Sequence, residues 1–259
     1  MYHLHGRWLR RLSIIIVIII AVVVFIRRDV ILNKVFNQIG QSNVAPTTKN
    51  ISNQSKDLVT KNFVDQQTMP VENNQPDFKP NELKITKGSW LKLAHRDWLG
   101  RPQRAEALLD KSRMPNAQRQ RLTIKTPGYH VYHFNQNGQS NYLYNRSHLI
   151  GYQLVGLNND DARNLITGTT ALNSTHQFDQ QPAMADYENA IASYLKQSNH
   201  HFVRYRVTPL YRNVERVPRG VEMEAQSIGD DGIKFHVYIF NSQPGWQINY
   251  YTGTALQRN

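Results

Sequence analysis

Residues 142 to 176 constrain the fold of this chain more than any other stretch. They set polar clusters among residues suited to strands. Asn145-Arg146-Ser147-His148 follows Tyr142-Leu143-Tyr144, and Asn164 and Asn173 bracket Leu165-Ile166-Thr167-Gly168-Thr169-Thr170. Aromatic and β-branched side chains pack well on a pleated, half-buried surface, so both polar nodes are expected at strand ends. A cation, an imidazole and carboxamides held there are the parts of a phosphodiester-cleaving centre. They offer a neutral base for water, an oxygen ligand for a hard metal and a positive charge for phosphate.

Charge distribution points to an anionic partner. The 259-residue chain carries a formal net charge of +12, and residues 81–145 hold eleven Lys/Arg against four Asp/Glu, whereas residues 146–259 hold ten of each. A basic face delivered to the 142–176 site is expected, as a polyanionic substrate requires. There is no cysteine, which excludes zinc–thiolate centres, disulfide frameworks and thiol nucleophiles.

The chain divides into three parts. Residues 1–36 read as a membrane anchor with its span at about 8–26: Leu12 to Ile26 is apolar except for Ser13, and Arg7, Arg10, Arg11 and Arg27, Arg28 bracket it. A bilayer span uses roughly 17–25 residues, and flanking arginines reach the headgroups. A cleaved signal peptide is the competing reading, but Arg27-Arg28 follows the apolar run where a small-residue cleavage site would stand. Charge does not orient the span, with three basic residues on each side. Residues 37–80, rich in Asn, Gln, Ser, Thr and Pro, read as a disordered linker.

Residues 81–259 read as one folded α+β domain, a central antiparallel sheet with flanking helices. Arg104 to Leu109 is expected as a short helix, and Ala117 to Leu122 as a second helix-compatible stretch. Tyr129 to Phe134 reads as a strand, with a hairpin turn at Asn137-Gly138. Asn164 to Thr170 reads as a buried strand in which Gly168 permits close backbone approach. Ala183 to Leu195 has helical spacing, with Pro182 suited to the first turn. Phe202 to Leu210 alternates as a half-buried strand, its Arg204 and Arg206 a solvated or structural row. Val221 to Ile239 forms a hairpin about Gly229–Gly232, and Ile248 to Tyr251 adds a last strand.

Asn145-Arg146-Ser147-His148-Leu149-Ile150-Gly151-Tyr152, followed by Asn164-Leu165-Ile166-Thr167-Gly168 and Asn173, resembles the DNA/RNA non-specific endonucleases. The likeness is to the branch containing the DNA-uptake nuclease of competent bacteria and the secreted streptodornases, and it covers about residues 85–255. It implies the ββα-metal fold, with His148 as general base and Asn173 as the protein ligand of one Mg²⁺, for which Mn²⁺ can substitute. Asn164 matches the family's other motif asparagine, and Glu188 falls near an acidic residue that supports the water shell of the metal. Arg146 is expected on a phosphate oxygen. Three positions depart from the family pattern. The usual Asp-Arg-Gly-His reads Asn145-Arg146-Ser147-His148, and Gly168 stands where some members carry a larger polar residue.

The expected activity is Mg²⁺-dependent hydrolysis of DNA, and of RNA as a second substrate, tolerant of sequence and leaving 5′-phosphates. The catalytic domain is expected on the outer side of the cytoplasmic membrane, away from the cell's own genome. The alternative is a surface nucleic-acid-binding protein weakened in catalysis, with Asn145 as its support.

Overall fold

The strongest two-residue periodicity lies near the C-terminus and forms the centre of the sheet. The computed structural model describes residues 53–136, 138–156, 161–174 and 181–258. Its first elements are α1 (Asn53–Thr60), β1 (Thr68–Pro70), β2 (Trp90–Leu93) and β3 (Ala105–Leu109). Then come β4 (His133–Gln136), β5 (Gln139–Tyr142), β6 (Tyr144–His148), α2 (Tyr152–Val155), β7 (Leu165–Thr169) and α3 (Thr170–Asn173). The last are α4 (Met184–Gln197), β8 (Val203–Leu210), β9 (Gly220–Ser227), β10 (Lys234–Phe240), β11 (Trp246–Ile248) and β12 (Ala255–Gln257).

Six strands pair in the order β1-β10-β9-β8-β3-β2, every neighbour antiparallel. One face carries Tyr205, Val207, Met223, Ala225, Phe235 and Val237, which pack with Ile191, Ala192 and Leu195 of α4 in a single core. The Val, Leu, Ile, Phe and Met side chains among these contribute about 1.5–3 kcal/mol each on burial. Helix α4 begins where Asp186 Oδ2 accepts the Ala183 N–H at 2.8 Å, satisfying a donor that the helix itself cannot. The domain is therefore α+β with an antiparallel sheet, as expected.

The opposite face is polar and covered. Arg206 pairs with Glu106 at 3.0 Å and Glu224 at 2.8 Å and also with Glu82. Arg204 lies between the rings of Trp90 and Phe78, 4.8 and 5.0 Å from their centroids. The expected half-buried strand is thus buried on both sides, and its arginines are structural. Residues 53–82 supply much of this cover, which corrects the disordered linker expected over 37–80. Leu58 and Val59 pack with Leu210, Tyr238 and Phe240, and β1 extends the sheet beside β10. Arg212 caps the end of α1, donating to the carbonyls of Thr60 at 2.8 Å and Lys61 at 2.7 Å. Single apolar residues without a period were enough to dock this segment because a finished sheet face was there to receive them. Residues 37–52, and the anchor expected within 1–36, lie outside the described residues.

Two further expectations change. Arg104–Leu109 is strand β3, because Ala105, Ala107 and Leu109 meet Val207, Tyr205 and Val203 across the sheet, and tertiary pairing outweighs local helix preference. Ala117–Leu122 has no regular secondary structure. The hairpin about Gly138 is present, with φ of +77° at that glycine, and its strand begins at His133 rather than Tyr129.

Candidate active site

The two polar nodes of the sequence meet in one small unit. Strands β6 and β7 pair from Tyr144↔Thr169 to His148↔Leu165, and α3 starts directly after β7. Thr169 caps that helix, its hydroxyl accepting the Leu172 N–H at 3.1 Å and donating to the Ser242 carbonyl at 2.7 Å. Asn173 closes the four-residue α3 and is separate from the longer α4.

Gly168 permits the expected close approach, and its partner is specific. A Cβ at this position would lie 2.8 Å from Ser147 Cβ and 3.1 Å from Leu172 Cδ2, in contact with Ser147 Oγ. Ser147 and Leu172 are both fully buried. Ser147 thus occupies the space that a side chain at position 168 would need across the β6–β7 pair.

His148 is buried at the end of β6 and shares a cavity of about 240 Å³ with Arg119, Gly151, Asn173 and Glu188. Glu188 Oε1 accepts the Gly151 N–H at 2.7 Å and the Tyr205 hydroxyl at 3.3 Å. Burial raises the Glu188 pKa to about 7, opposed by those two hydrogen bonds and by Arg119. Gly151 is required here, since a Cβ would stand 2.9 Å from Glu188 Cδ.

Asn164 does not reach this cavity. It is 1% exposed, its Oδ1 accepts the Ile150 N–H at 3.0 Å, and its Nδ2 donates to the Ile150 carbonyl at 2.9 Å. A carboxamide matches a peptide unit in both donor and acceptor, so Asn164 clamps the chain just after His148. Both ends of its side chain are taken up by the Ile150 peptide, outside the cavity that holds His148. Asn145 has a comparable structural role. Its Nδ2 donates to Thr170 Oγ1 at 2.8 Å, while that hydroxyl donates to the Tyr142 carbonyl at 2.5 Å. An ionised carboxylate has no proton to donate to Thr170, so the carboxamide suits this position.

A second cavity of about 730 Å³ adjoins the first, and Asn173 and Arg119 line both. Arg146 lines the larger one. Its Nε donates to the Ile124 carbonyl at 2.6 Å, and its guanidinium lies 4.5 Å from the Tyr129 ring centroid. Arg119 and Arg121 also line it, from a loop that Tyr152 holds by donating to the Ala117 carbonyl at 2.7 Å. The upstream basic residues do not form the single face expected. Arg101 is buried against Asp97, and Lys92, Arg96 and Arg104 line a separate cavity of about 420 Å³. Arg119 belonged to the basic stretch, but its sequence neighbours give no local sign that it would meet Glu188.

The donor set suits a hard divalent ion that keeps most of its water. Asn173 offers a neutral oxygen ligand, and Glu188 sits in the same polar cavity. Among the described residues no group of three or more His, Cys, Asp or Glu is arranged to hold a metal, so a cation here would depend on few protein ligands.

Residues 80–229 match the model of the DNA/RNA non-specific endonuclease family. The fold is similar to that of NucA from Streptococcus agalactiae with no metal bound, at 26% identity and a TM-score of 0.66, covering 82% of this chain and 98% of that one. NucA with magnesium bound matches at 27% identity and a TM-score of 0.65, covering 76% and 89%. The Sda1 nuclease with bound zinc matches at 25% identity and a TM-score of 0.55, covering 65% and 81%.

Proposed function

The chain belongs to the DNA/RNA non-specific endonuclease family, a metal-dependent nuclease that hydrolyses phosphodiester bonds, and we propose that His148 is its general base and Asn173 its metal ligand. The observation that carries this reading is the shared cavity of His148, Asn173, Glu188 and Arg119, beside a cationic groove that Asn173 and Arg119 also line. Mg²⁺ is the proposed ion, supported by magnesium-bound NucA, and Mn²⁺ has the same preference for oxygen donors.

As the neutral imidazole, His148 takes a proton from the attacking water. The Asn164 clamp holds the backbone after His148 and so limits movement of the ring. Arg146 and Arg119 hold non-bridging phosphate oxygens, and Arg146 is itself oriented by Ile124 and Tyr129. When bound, the divalent ion offsets negative charge that develops on the phosphate and on the departing 3′ oxygen. Water attack with loss of that oxygen leaves a 5′-phosphate. Phosphate contacts carry no base information, so cleavage is tolerant of sequence.

The apolar run Leu12–Ile26 supports attachment to the cytoplasmic membrane, and the outer side is proposed from function alone, because a sequence-tolerant enzyme there is separated from the chromosome. Plasmid digestion by the full chain in mild detergent tests the chemistry. Wild type with Mg²⁺ should digest, while His148→Ala should not. Equal digestion by the variant would remove the base, and full activity in EDTA would remove the metal from Asn173.

A further inference from the structure

The larger groove holds a feature that phosphate chemistry does not use. On the β4–β5 hairpin, His133 and Tyr142 stand directly opposite each other, their ring centroids 4.4 Å apart and tilted by 47°. Both line the cationic groove that also contains Arg146 and Asn173. Tyr142 is 52% exposed, and Val131 beside it is 62% exposed. An open aromatic surface in a groove lined by arginines combines a π face with phosphate-binding groups, the two parts of a single-strand nucleic-acid site.

The ledge is firmly mounted. Beneath it, Tyr132 packs on Tyr144 and Trp246 with centroid separations of 6.2 and 5.8 Å, and Phe134 packs on Trp246 at 6.1 Å. The Leu143 N–H donates to the Tyr132 carbonyl at 3.0 Å, and the Thr170 N–H donates to the Leu143 carbonyl at 3.0 Å. Tyr142 is tied to the same helix, because its carbonyl accepts from Thr170 Oγ1, three residues before Asn173. A ring stacked on Tyr142 is therefore placed at a set position relative to Asn173, with little ordering cost.

We propose that His133 and Tyr142 form a stacking ledge for an unstacked nucleobase flanking the scissile phosphate, so that the enzyme favours single-stranded over duplex nucleic acid. In a duplex both faces of each interior base are already stacked, and only a single strand, a frayed end or a bulge offers one freely. The inference rests on the nuclease reading of this groove, and binding can be measured apart from cleavage.

The test compares wild type, Tyr142→Ala and Tyr142→Trp as full chains, using labelled single-stranded and duplex oligonucleotides of one sequence. Binding is read by fluorescence anisotropy in EDTA, and cleavage is read with Mg²⁺. Base–aromatic stacking corresponds to about a tenfold or greater change in affinity. Tyr142→Ala should weaken single-strand binding by about that factor, leave duplex binding nearly unchanged and lower the single-strand preference in cleavage. Tyr142→Trp should restore both. Equal weakening for both substrates, or no change for either, overturns the ledge. Selective loss of single-strand binding in a protein that cuts neither substrate supports the ledge and overturns the nuclease reading.

Discussion

Replacing Gly168 with alanine inserts a methyl group where the structure has no room for it. The added Cβ would lie 2.8 Å from Ser147 Cβ and 3.1 Å from Leu172 Cδ2, and burial leaves neither neighbour an exit to solvent. Overpacking of this kind costs typically 1–3 kcal/mol, so a loss of about 2 kcal/mol is expected. In a domain of this size that corresponds to a fall in Tm of about 4–8 °C. Ser147→Gly removes the main obstruction and a buried hydroxyl without a hydrogen-bond partner among the described residues, at a cost of roughly 0.5–1 kcal/mol for glycine in a strand. The double variant should then be more stable than the sum of the single effects by about 1–2 kcal/mol. Urea denaturation of all four proteins in EDTA measures that coupling. Because Leu172 adjoins Asn173, activity should fall in Gly168→Ala and recover in the double variant. Additivity within about 0.5 kcal/mol would refute the claim that residues 147 and 168 compete for the same space.

Glu188→Gln should be more stable than wild type at pH 8 in EDTA. The native pKa of Glu188 is raised to about 7 by burial, so its favourable contribution is complete below about 4.5 and lost as pH rises through about 7. The difference between the proteins should move by about 3 kcal/mol across that window, and a flat difference would rule out desolvation as the cause. Asn164→Ala leaves the Ile150 peptide groups unpaired in the interior, at a cost of about 2–4 kcal/mol. It should lower Tm and kcat with little change in KM, and an unchanged Tm would count against the clamp. His236 titrates above its usual range because hydrogen bonding and attraction from Glu222 and Glu224 outweigh the downward push of burial. Its Nε2 lies 2.8 Å from Glu222 Oε1, its Nδ1 lies 3.1 Å from the Gln75 carbonyl, and Ser55 also donates to Glu222. This contribution is full below about 6.5 and is lost as pH rises through the native pKa. Protease cleavage within residues 53–80 should therefore become faster above neutral pH in wild type and not in His236→Gln.

Local patterns revealed those parts of the molecule whose partners lie close in sequence. The hairpin about Gly138, the β9–β10 pair and the buried β7 all follow from two-residue alternation and turn chemistry. Helix α4 follows from apolar residues at helical spacing. The resemblance marked His148 and Asn173, and β6, β7 and α3, with only the short α2 between the two strands, form a nearly local unit that carries both.

Other features depended on distant partners. Arg206 meets Glu106 and Glu82 from 100 and 124 residues away, and Arg212 meets α1 across an even longer separation. For this reason periodicity could not distinguish a solvated arginine row from a buried network, or a tether from a docked segment. Ala105–Leu109 became a strand because β8 stood ready to pair with it. The sequence alone determined the β6 and β7 strands, with an imidazole on the first and a carboxamide just beyond the second, while the short α3 that ends at Asn173 emerged only in the structure. Only the tertiary structure decided the remaining roles around it, since a carboxamide can bind an ion or replace a peptide partner according to what surrounds it. It placed Asn173 in the cavity and gave Asn164 to the Ile150 backbone, and it set Glu188 beside Arg119.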